Sequence, residues 1–380
     1  MKSLLFFMPD LNGGGAEKAL IELLKLIDYT KYKVDLFLEF KSGPYISEVP
    51  KQVNVMHIYG TRKFYHRVCR KLLKLLHLNN TYHRLFTKRR IRKIVKPRYD
   101  AIISFLEGKA LKNHISVIER TNNNITWVHC DLQNMHWTLK EYAIKEAEEY
   151  SFYKEMNQIV FVSENAQIAL NNIYKLDKSK QIVIHNPINR EEIITLANSQ
   201  TIPKRKFTLC TVGRLTQAKG YDRLLRVTQR LASEGYDFDV WIIGIGELKS
   251  YLTGLAKKLD IEAMVHFLGF IRPPYPFIKA ADVFISTSTA EGFSLVIGEA
   301  LCIGKTVIST KTAGAVELLQ EGKYGLLVNH DEDSIYCAIK TVINNPSLLN
   351  EYNRKSALRG IEISNKDEFI KSFYSLLEIQ

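Results

Sequence analysis

Twice along this chain a strand-length apolar run breaks at a glycine-bearing loop and gives way to a helical pattern, and this repetition limits the fold more than any other feature. In the first copy, Leu4-Leu5-Phe6-Phe7-Met8 ends at Pro9-Asp10-Leu11, the loop Asn12-Gly13-Gly14-Gly15-Ala16 follows, and Leu20, Leu23, Leu24 and Ile27 recur at helical spacing. In the second, Phe207-Thr208-Leu209-Cys210-Thr211-Val212 leads through Gly213-Arg214-Leu215-Thr216-Gln217-Ala218-Lys219-Gly220 to a helix from Tyr221 with Leu224, Leu225 and Leu231. Strand, glycine turn and helix in that order open a doubly wound α/β domain. Two openings predict two such domains, and 380 residues are many for one core. Asn186-Pro187-Ile188-Asn189 breaks the pattern, so the boundary is placed between Asn186 and Lys206.

Further strand-like runs support the same class. In the first half they are Lys33–Leu38, Val53–Ile58, Asp100–Phe105, Ile125–Val128, Gln158–Val162 and Gln181–His185. In the second they are Asp239–Ile243, Val265–Phe270, Ala281–Ser286, Thr306–Ser309 and Gly325–Val328. Met1–Pro9 is too short an apolar run for a secretory signal, and no run approaches the roughly 18 residues of a membrane span. A cytoplasmic protein is expected. The five cysteines are scattered without paired spacing, which argues against a disulfide framework or a zinc site.

Charge is distributed unevenly. Of the net +13, all lies in the first half: residues 1–190 hold 31 Lys+Arg against 18 Asp+Glu, and residues 191–380 hold 22 of each. Arg62 to Arg98 contains 14 basic residues and no acidic one, with Phe64, Val68, Leu72, Leu75, Tyr82, Leu85 and Phe86 interleaved. Basic amphipathic helices with aromatics suit an anionic membrane surface. An ordinary solvated helix face is the plainer alternative. Nucleic acid is disfavoured, because no helix-turn-helix, zinc finger or aromatic RNA-binding motif accompanies the charge.

The chemistry-bearing stretch is Ala290-Glu291-Gly292-Phe293-Ser294-Leu295-Val296-Ile297-Gly298-Glu299, which follows the apolar run ending at Ser286. A strand, a turn and a helix N-terminus form an anion site, since the first helical N–H groups are unpaired and the dipole favours negative charge. Two carboxylates beside it suit a ligand that carries hydroxyls as well as phosphate. Eight residues of helix rise about 12 Å and return to nearly the same face, roughly the reach from a ribose across a diphosphate to a sugar. Arg214 and Lys219, flanked by glycines, can clamp a diphosphate without a metal, and the loop after Phe270 can line a base. His129, at the end of the Ile125–Val128 run, can hydrogen-bond a sugar hydroxyl or meet developing charge. Asp331-Glu332-Asp333 precedes a helical pattern and reads as a helix cap ahead of a metal site.

Together these features resemble the GT-B glycosyltransferases, specifically the retaining glycosyltransferase family 4: Gly213-Arg214 with Lys219-Gly220 is similar to its diphosphate clamp, and Glu291 to Glu299 to its E-x7-E motif. The resemblance implies two Rossmann-like doubly wound domains facing a central cleft. Residues 1–190 would form the acceptor-binding domain with the basic helices, residues 191–365 the donor-binding domain, and residues 366–380 a helix crossing back to the first. It further implies that Arg214 and Lys219 neutralise the leaving diphosphate, that Glu299 holds the ribose, and that Glu291 lies at the donor sugar as nucleophile or sugar contact. The N–H groups of Phe293, Ser294 and Leu295 would meet the phosphates. Gly14 and Gly15 would face donor phosphates and acceptor, and His129 would touch the donor sugar. The reaction so implied moves a hexose or N-acetylhexosamine, with UDP the expected carrier and no cofactor or metal, to a lipid-linked saccharide in surface polysaccharide synthesis. The enzyme would sit peripherally on the inner face of the cell membrane, bound there through Arg62 to Arg98. A cytoplasmic protein glycosyltransferase, a non-catalytic GT-B partner subunit and a sugar-nucleotide epimerase are the alternatives. Oligomeric state is left open.

Overall fold

A computed structural model describes residues 1–60, 86–142 and 145–378. The chain divides into two compact units, Met1–Pro187 with Asp367–Gln380, and Ile188–Lys366.

The first unit is a seven-stranded parallel sheet in the order β3-β2-β1-β4-β5-β6-β7. Its strands are β1 (Lys2–Met8), β2 (Tyr32–Phe40), β3 (Asn54–Tyr59), β4 (Ala101–Ser104), β5 (Asn124–Val128), β6 (Gln158–Phe161) and β7 (Gln181–Val183). Helices α1 (Gly15–Leu26), α2 (Lys88–Ile94), α3 (Lys109–Ile115), α4 (Trp137–Tyr142), α5 (Glu146–Lys154) and α6 (Glu164–Ile173) connect them. The central strands are near-continuous apolar runs because both faces of a parallel sheet are covered. Leu4, Leu5, Phe6 and Phe7 of β1 are fully buried accordingly. Ser163 caps α6 by accepting from the Ala166 N–H at 3.1 Å.

The second unit is a six-stranded parallel sheet in the order β10-β9-β8-β11-β12-β13. Its strands are β8 (Phe207–Val212), β9 (Phe238–Ile243), β10 (Val265–Gly269), β11 (Val283–Ser286), β12 (Thr306–Thr310) and β13 (Leu326–Val328). The helices are α7 (Arg190–Ala197), α8 (Tyr221–Ser233), α9 (Lys249–Lys258), α10 (Tyr275–Ala280), α11 (Leu295–Cys302), α12 (Ala313–Leu318), α13 (Glu332–Asn344) and α14 (Pro346–Glu362). Asp331 caps α13 by accepting from the Ser334 N–H at 2.7 Å, and Glu332 and Asp333 pair with Arg226 and Arg230, so this acidic triplet is committed to the fold.

The last helix, α15 (Lys366–Leu376), packs in the first unit. Its apolar face is used fully: Phe373 stacks on Phe6 with centroids 6.1 Å apart, Tyr374 stacks on Tyr32 at 5.2 Å, and Phe369 and Leu376 are buried. The Leu376 carbonyl accepts from Asn123 at 2.9 Å and Gln158 at 3.0 Å, closing the helix end on the sheet.

Of the basic tract, Thr61 to Leu85 lies outside the described residues, and with it the proposed helix of Arg62 to Leu78. The remainder forms α2, whose Lys88, Arg89, Arg90 and Lys93 are exposed while Ile91 is buried against the sheet. Arg120 accounts for the end of α2 by donating to the carbonyls of Arg92 at 2.8 Å and Val95 at 2.7 Å.

Candidate functional site

In an open parallel sheet the order reverses at one strand pair, and the loops at the carboxyl ends there part to leave room for a ligand. The reversal falls at β8/β11 in the second unit and β1/β4 in the first.

At β8/β11 the loop after β8, Gly213 to Gly220, meets the loop after β11, Thr287 to Ser294. The Thr289 N–H donates to the Ala218 carbonyl at 2.8 Å, and the Thr287 hydroxyl donates to the Lys219 carbonyl at 2.9 Å. Gly220 makes the approach possible: its φ is +61°, and a Cβ there would lie 2.3 Å from the Thr287 carbonyl oxygen. The meeting of the loops brings Lys219 Nζ onto Glu291 Oε1, the same oxygen that accepts from Ser288 Oγ at 2.9 Å. The two ionic side chains remain 20% and 17% exposed, enough for a competing anion to reach them.

Glu291 is not on the helix. It lies in the turn before α11, so the 12 Å helical rise expected between the two glutamates does not apply, and only Glu299 is helical. Glu299 is buried within α11. Ser294 is the N-cap residue, but its Oγ makes no cap bond and is buried without a partner. Phe293 and Leu295, on either side, are buried as well. No acidic residue stands in the first turn of α11, and the backbone of Gly314 supports the turn by donating its N–H to the Glu291 carbonyl at 3.1 Å. Arg214 is exposed at the mouth of its loop. A helix N-terminus, an ammonium and a guanidinium from adjoining loops thus offer positive potential next to two carboxylates.

At β1/β4 the glycine loop behaves differently. Gly14 is the N-cap of α1 and Gly15 its first residue, but the buried Glu17 in the first turn folds over the loop: a Cβ on Gly14 would meet Glu17 Oε2 at 2.2 Å. The α1 N-terminus already faces a carboxylate, so the α11 N-terminus is the better anion site.

His129 stands just past β5, and its ring packs on Phe105 at 5.1 Å. Nε2 of the ring is buried without a hydrogen-bond partner. Burial pushes the imidazole pKa down to about 3, so the ring is neutral, with one nitrogen a donor and the other an acceptor. The His129 main-chain N–H donates to Glu107 Oε2 at 2.9 Å, and Trp137 Nε1 donates to Glu107 Oε1 at 3.2 Å. His114 is a contrast: it is fully buried, and both ring nitrogens are engaged, by Ser104 at 3.1 Å and Asn124 at 2.9 Å, so it is structural.

Residues 192–359 match the family described as Glycosyl transferases group 1. Over 366 residues the chain is 28% identical to a Campylobacter jejuni protein named N-acetylgalactosamine-N,N'-diacetylbacillosaminyl-diphospho-undecaprenol 4-alpha-N-acetylgalactosaminyltransferase, covering 95% of each. A Staphylococcus aureus poly(ribitol-phosphate) alpha-N-acetylglucosaminyltransferase is 24% identical over 57% of this chain and 45% of its own. Among solved structures, Anabaena Alr3699/HepE in complex with UDP and glucose superposes with a TM-score of 0.78 at 20% identity over the whole of both chains. Staphylococcus aureus TarM superposes with a TM-score of 0.74 at 13% identity, again over both whole chains. The chain has the GT-B fold, and its second unit matches a glycosyltransferase family.

Of the residues named from sequence, the fold brings Lys219 and Glu291 into contact. Arg214, Phe293, Ser294, Leu295 and Glu299 lie on the same two loops and helix, and Gly14, Gly15 and His129 lie at strand ends of the other sheet. Two residues escaped the sequence reading. Ser288 is buried and holds Glu291, and its spacing of three before that glutamate was the available signal. Glu107 is buried under His129, and a glutamate followed by glycine at a strand end was the only hint of it.

Proposed function

We propose that this protein is a metal-independent retaining glycosyltransferase of family 4 that moves a hexose or N-acetylhexosamine from a UDP sugar to a lipid-linked saccharide. The observation that carries the reading is the pairing of Lys219 with Glu291 beside the acid-free N-terminus of α11, at the β8/β11 reversal. The diphosphate sits on the α11 N–H groups of Phe293 to Leu295, where the unpartnered Ser294 hydroxyl adds a donor. Lys219 and Arg214 take the charge that develops on the leaving diphosphate, the part a metal ion plays elsewhere. Glu299 accepts from the ribose hydroxyls. Ile245 and Phe270, exposed apolar side chains beyond the neighbouring strands β9 and β10, form a wall for the base.

Glu291, released when Lys219 turns to phosphate, faces the donor sugar and stays oriented by Ser288. His129 accepts a hydrogen bond from a donor-sugar hydroxyl through Nε2, and Gly14 and Gly15 meet donor and acceptor once the Glu17 side chain that covers them swings aside. The acceptor class is supported by the Campylobacter relative, whose name specifies a saccharide on diphospho-undecaprenol and an α linkage. The α2 surface supports membrane attachment: beside its exposed cations, Phe86 and Ile94 are 56% and 38% exposed.

The test has two arms. A panel of nucleotide sugars is incubated with enzyme and lipid extract, and products are read by mass spectrometry. Transfer from a UDP sugar to a polyprenyl-linked saccharide, undiminished by EDTA, is expected; transfer only to protein, or donor isomerised without transfer, overturns the assignment. In liposome flotation, equal recovery with neutral and anionic lipids removes the membrane argument.

A further inference from the structure

Glu107 carries a buried carboxyl that the proposed chemistry does not use. It lies past the end of β4, only 1% exposed, against an apolar cluster that includes Leu111, Val128 and Tyr153. The charged and titratable groups packed around it are already committed. Glu149 of α5 accepts from His136 at 2.7 Å and Tyr174 at 2.9 Å, and Lys112 of α3 pairs with Glu148 at 3.4 Å. Tyr153 of α5 and Cys130 after β5 are the other titratable groups nearby, and burial pushes the Tyr153 phenol well above its ordinary value so that it is neutral. The two oxygens of Glu107 instead receive two N–H donors from different segments, the His129 main chain and the Trp137 indole.

We propose that Glu107 is a positioning residue for His129, its carboxylate tying the His129 main-chain N–H to the Trp137 indole so that Nε2 of His129 is presented in one orientation. The inference rests on the donor-sugar role given to His129 above. Two donors facing one carboxyl are both satisfied only by the ionised form; adding a proton turns one oxygen into a donor and leaves an N–H without an acceptor. Burial and the charge of Glu149 work the other way and raise the Glu107 pKa to about 7. Both tethers are therefore made above about pH 7, and one is released below it, while the carboxyl itself, relieved of its buried charge, is then better accommodated by the fold.

The experiment uses the full chain labelled with 15N in histidine and tryptophan. In the wild type, the His129 ring signals and the Trp137 indole signal shift together with a midpoint near pH 7, while the His114 signals stay constant as an internal control. In Glu107→Gln, whose amide oxygen can serve only one of the two donors, that titration disappears and the His129 signals move or broaden. Trp137→Phe removes the other arm and moves the His129 signals in the same sense. His129 signals unmoved in both folded variants overturn the proposal. A calorimetric arm measures UDP and UDP-N-acetylgalactosamine: E107Q weakens the sugar nucleotide about tenfold and leaves UDP unchanged, the scale of one lost hydrogen bond to a charged group. If E107Q moves the His129 signals but His129→Ala leaves sugar-nucleotide binding intact, the donor-sugar role of His129 falls and the positioning role stands.

Discussion

Glu291→Gln should separate two properties that usually change together, because Glu291 is both a proposed sugar contact and the partner that occupies Lys219 in the unliganded enzyme. An ion pair in contact at an effective dielectric near 20 is worth about 4 kcal/mol before desolvation, and a part-buried pair retains about 1 kcal/mol net. A diphosphate that recruits Lys219 must first forfeit that net pairing. Glutamine at 291 keeps the Ser288 hydrogen bond and removes the charge, so UDP, which has no sugar to miss the carboxylate, should bind about fivefold more tightly. Turnover should fall at least about tenfold, since the carboxylate at the reacting sugar is gone. Lys219→Ala, by contrast, should weaken UDP by about tenfold or more through the lost charge-assisted contact. Calorimetry with UDP and donor turnover on both variants decide the matter. If E291Q weakens UDP as K219A does, Glu291 and the diphosphate do not compete for Lys219 and the pairing is unrelated to donor binding.

Glu299→Ala should lower turnover at least about tenfold and weaken UDP and uridine in proportion, as loss of a ribose contact requires; near-wild-type uridine binding would place Glu299 elsewhere. Gly220→Ala forces a side chain into positive φ and against the Thr287 carbonyl, and should cost about 2 kcal/mol or more in urea unfolding, with Lys219 displaced and UDP affinity reduced. For Glu107 the folded pKa lies above its unfolded value, so its contribution to stability is complete below about pH 4.5 and is lost as pH rises through about 7. Wild type minus E107Q, followed by urea unfolding, should therefore decline by about 3 kcal/mol between pH 4 and pH 8. A flat difference would mean that Glu107 titrates like an exposed carboxylate.

The strands were legible in the sequence because strands buried on both faces must be continuous apolar runs, and the glycine-bearing loops were legible because they interrupt those runs at abrupt points. Pairing across the chain was less accessible. Lys219 and Glu291 are 72 positions apart and meet only because the crossover topology sets β11 beside β8, a neighbour relation that no local pattern encodes. The helical spacing of the two glutamates misled for a related reason: Gly292 to Ser294 turn the chain before α11 begins, so the distance between the carboxylates is set by a loop. Glu17 was invisible as an obstacle, since an acidic residue in a first helical turn ordinarily signals favourable capping. Its burial over Gly14 shows only once the loop is folded.

The protonation state of His129 constrains how charge is handled. A ring that stays neutral down to about pH 3 cannot deliver a positive charge to a departing oxygen. In the proposed reaction the negative charge of the leaving diphosphate then falls on Arg214, Lys219 and the positive end of the α11 dipole. The same reasoning assigns the pH profile. An acid limb near pH 7 cannot arise from His129, whose titration is displaced far below, and it matches Glu107, the carboxyl that holds the His129 backbone. A profile whose acid limb survives in E107Q would require another group with a pKa near 7 at the site, and the division of labour between acceptor imidazole and cationic clamp would have to be redrawn.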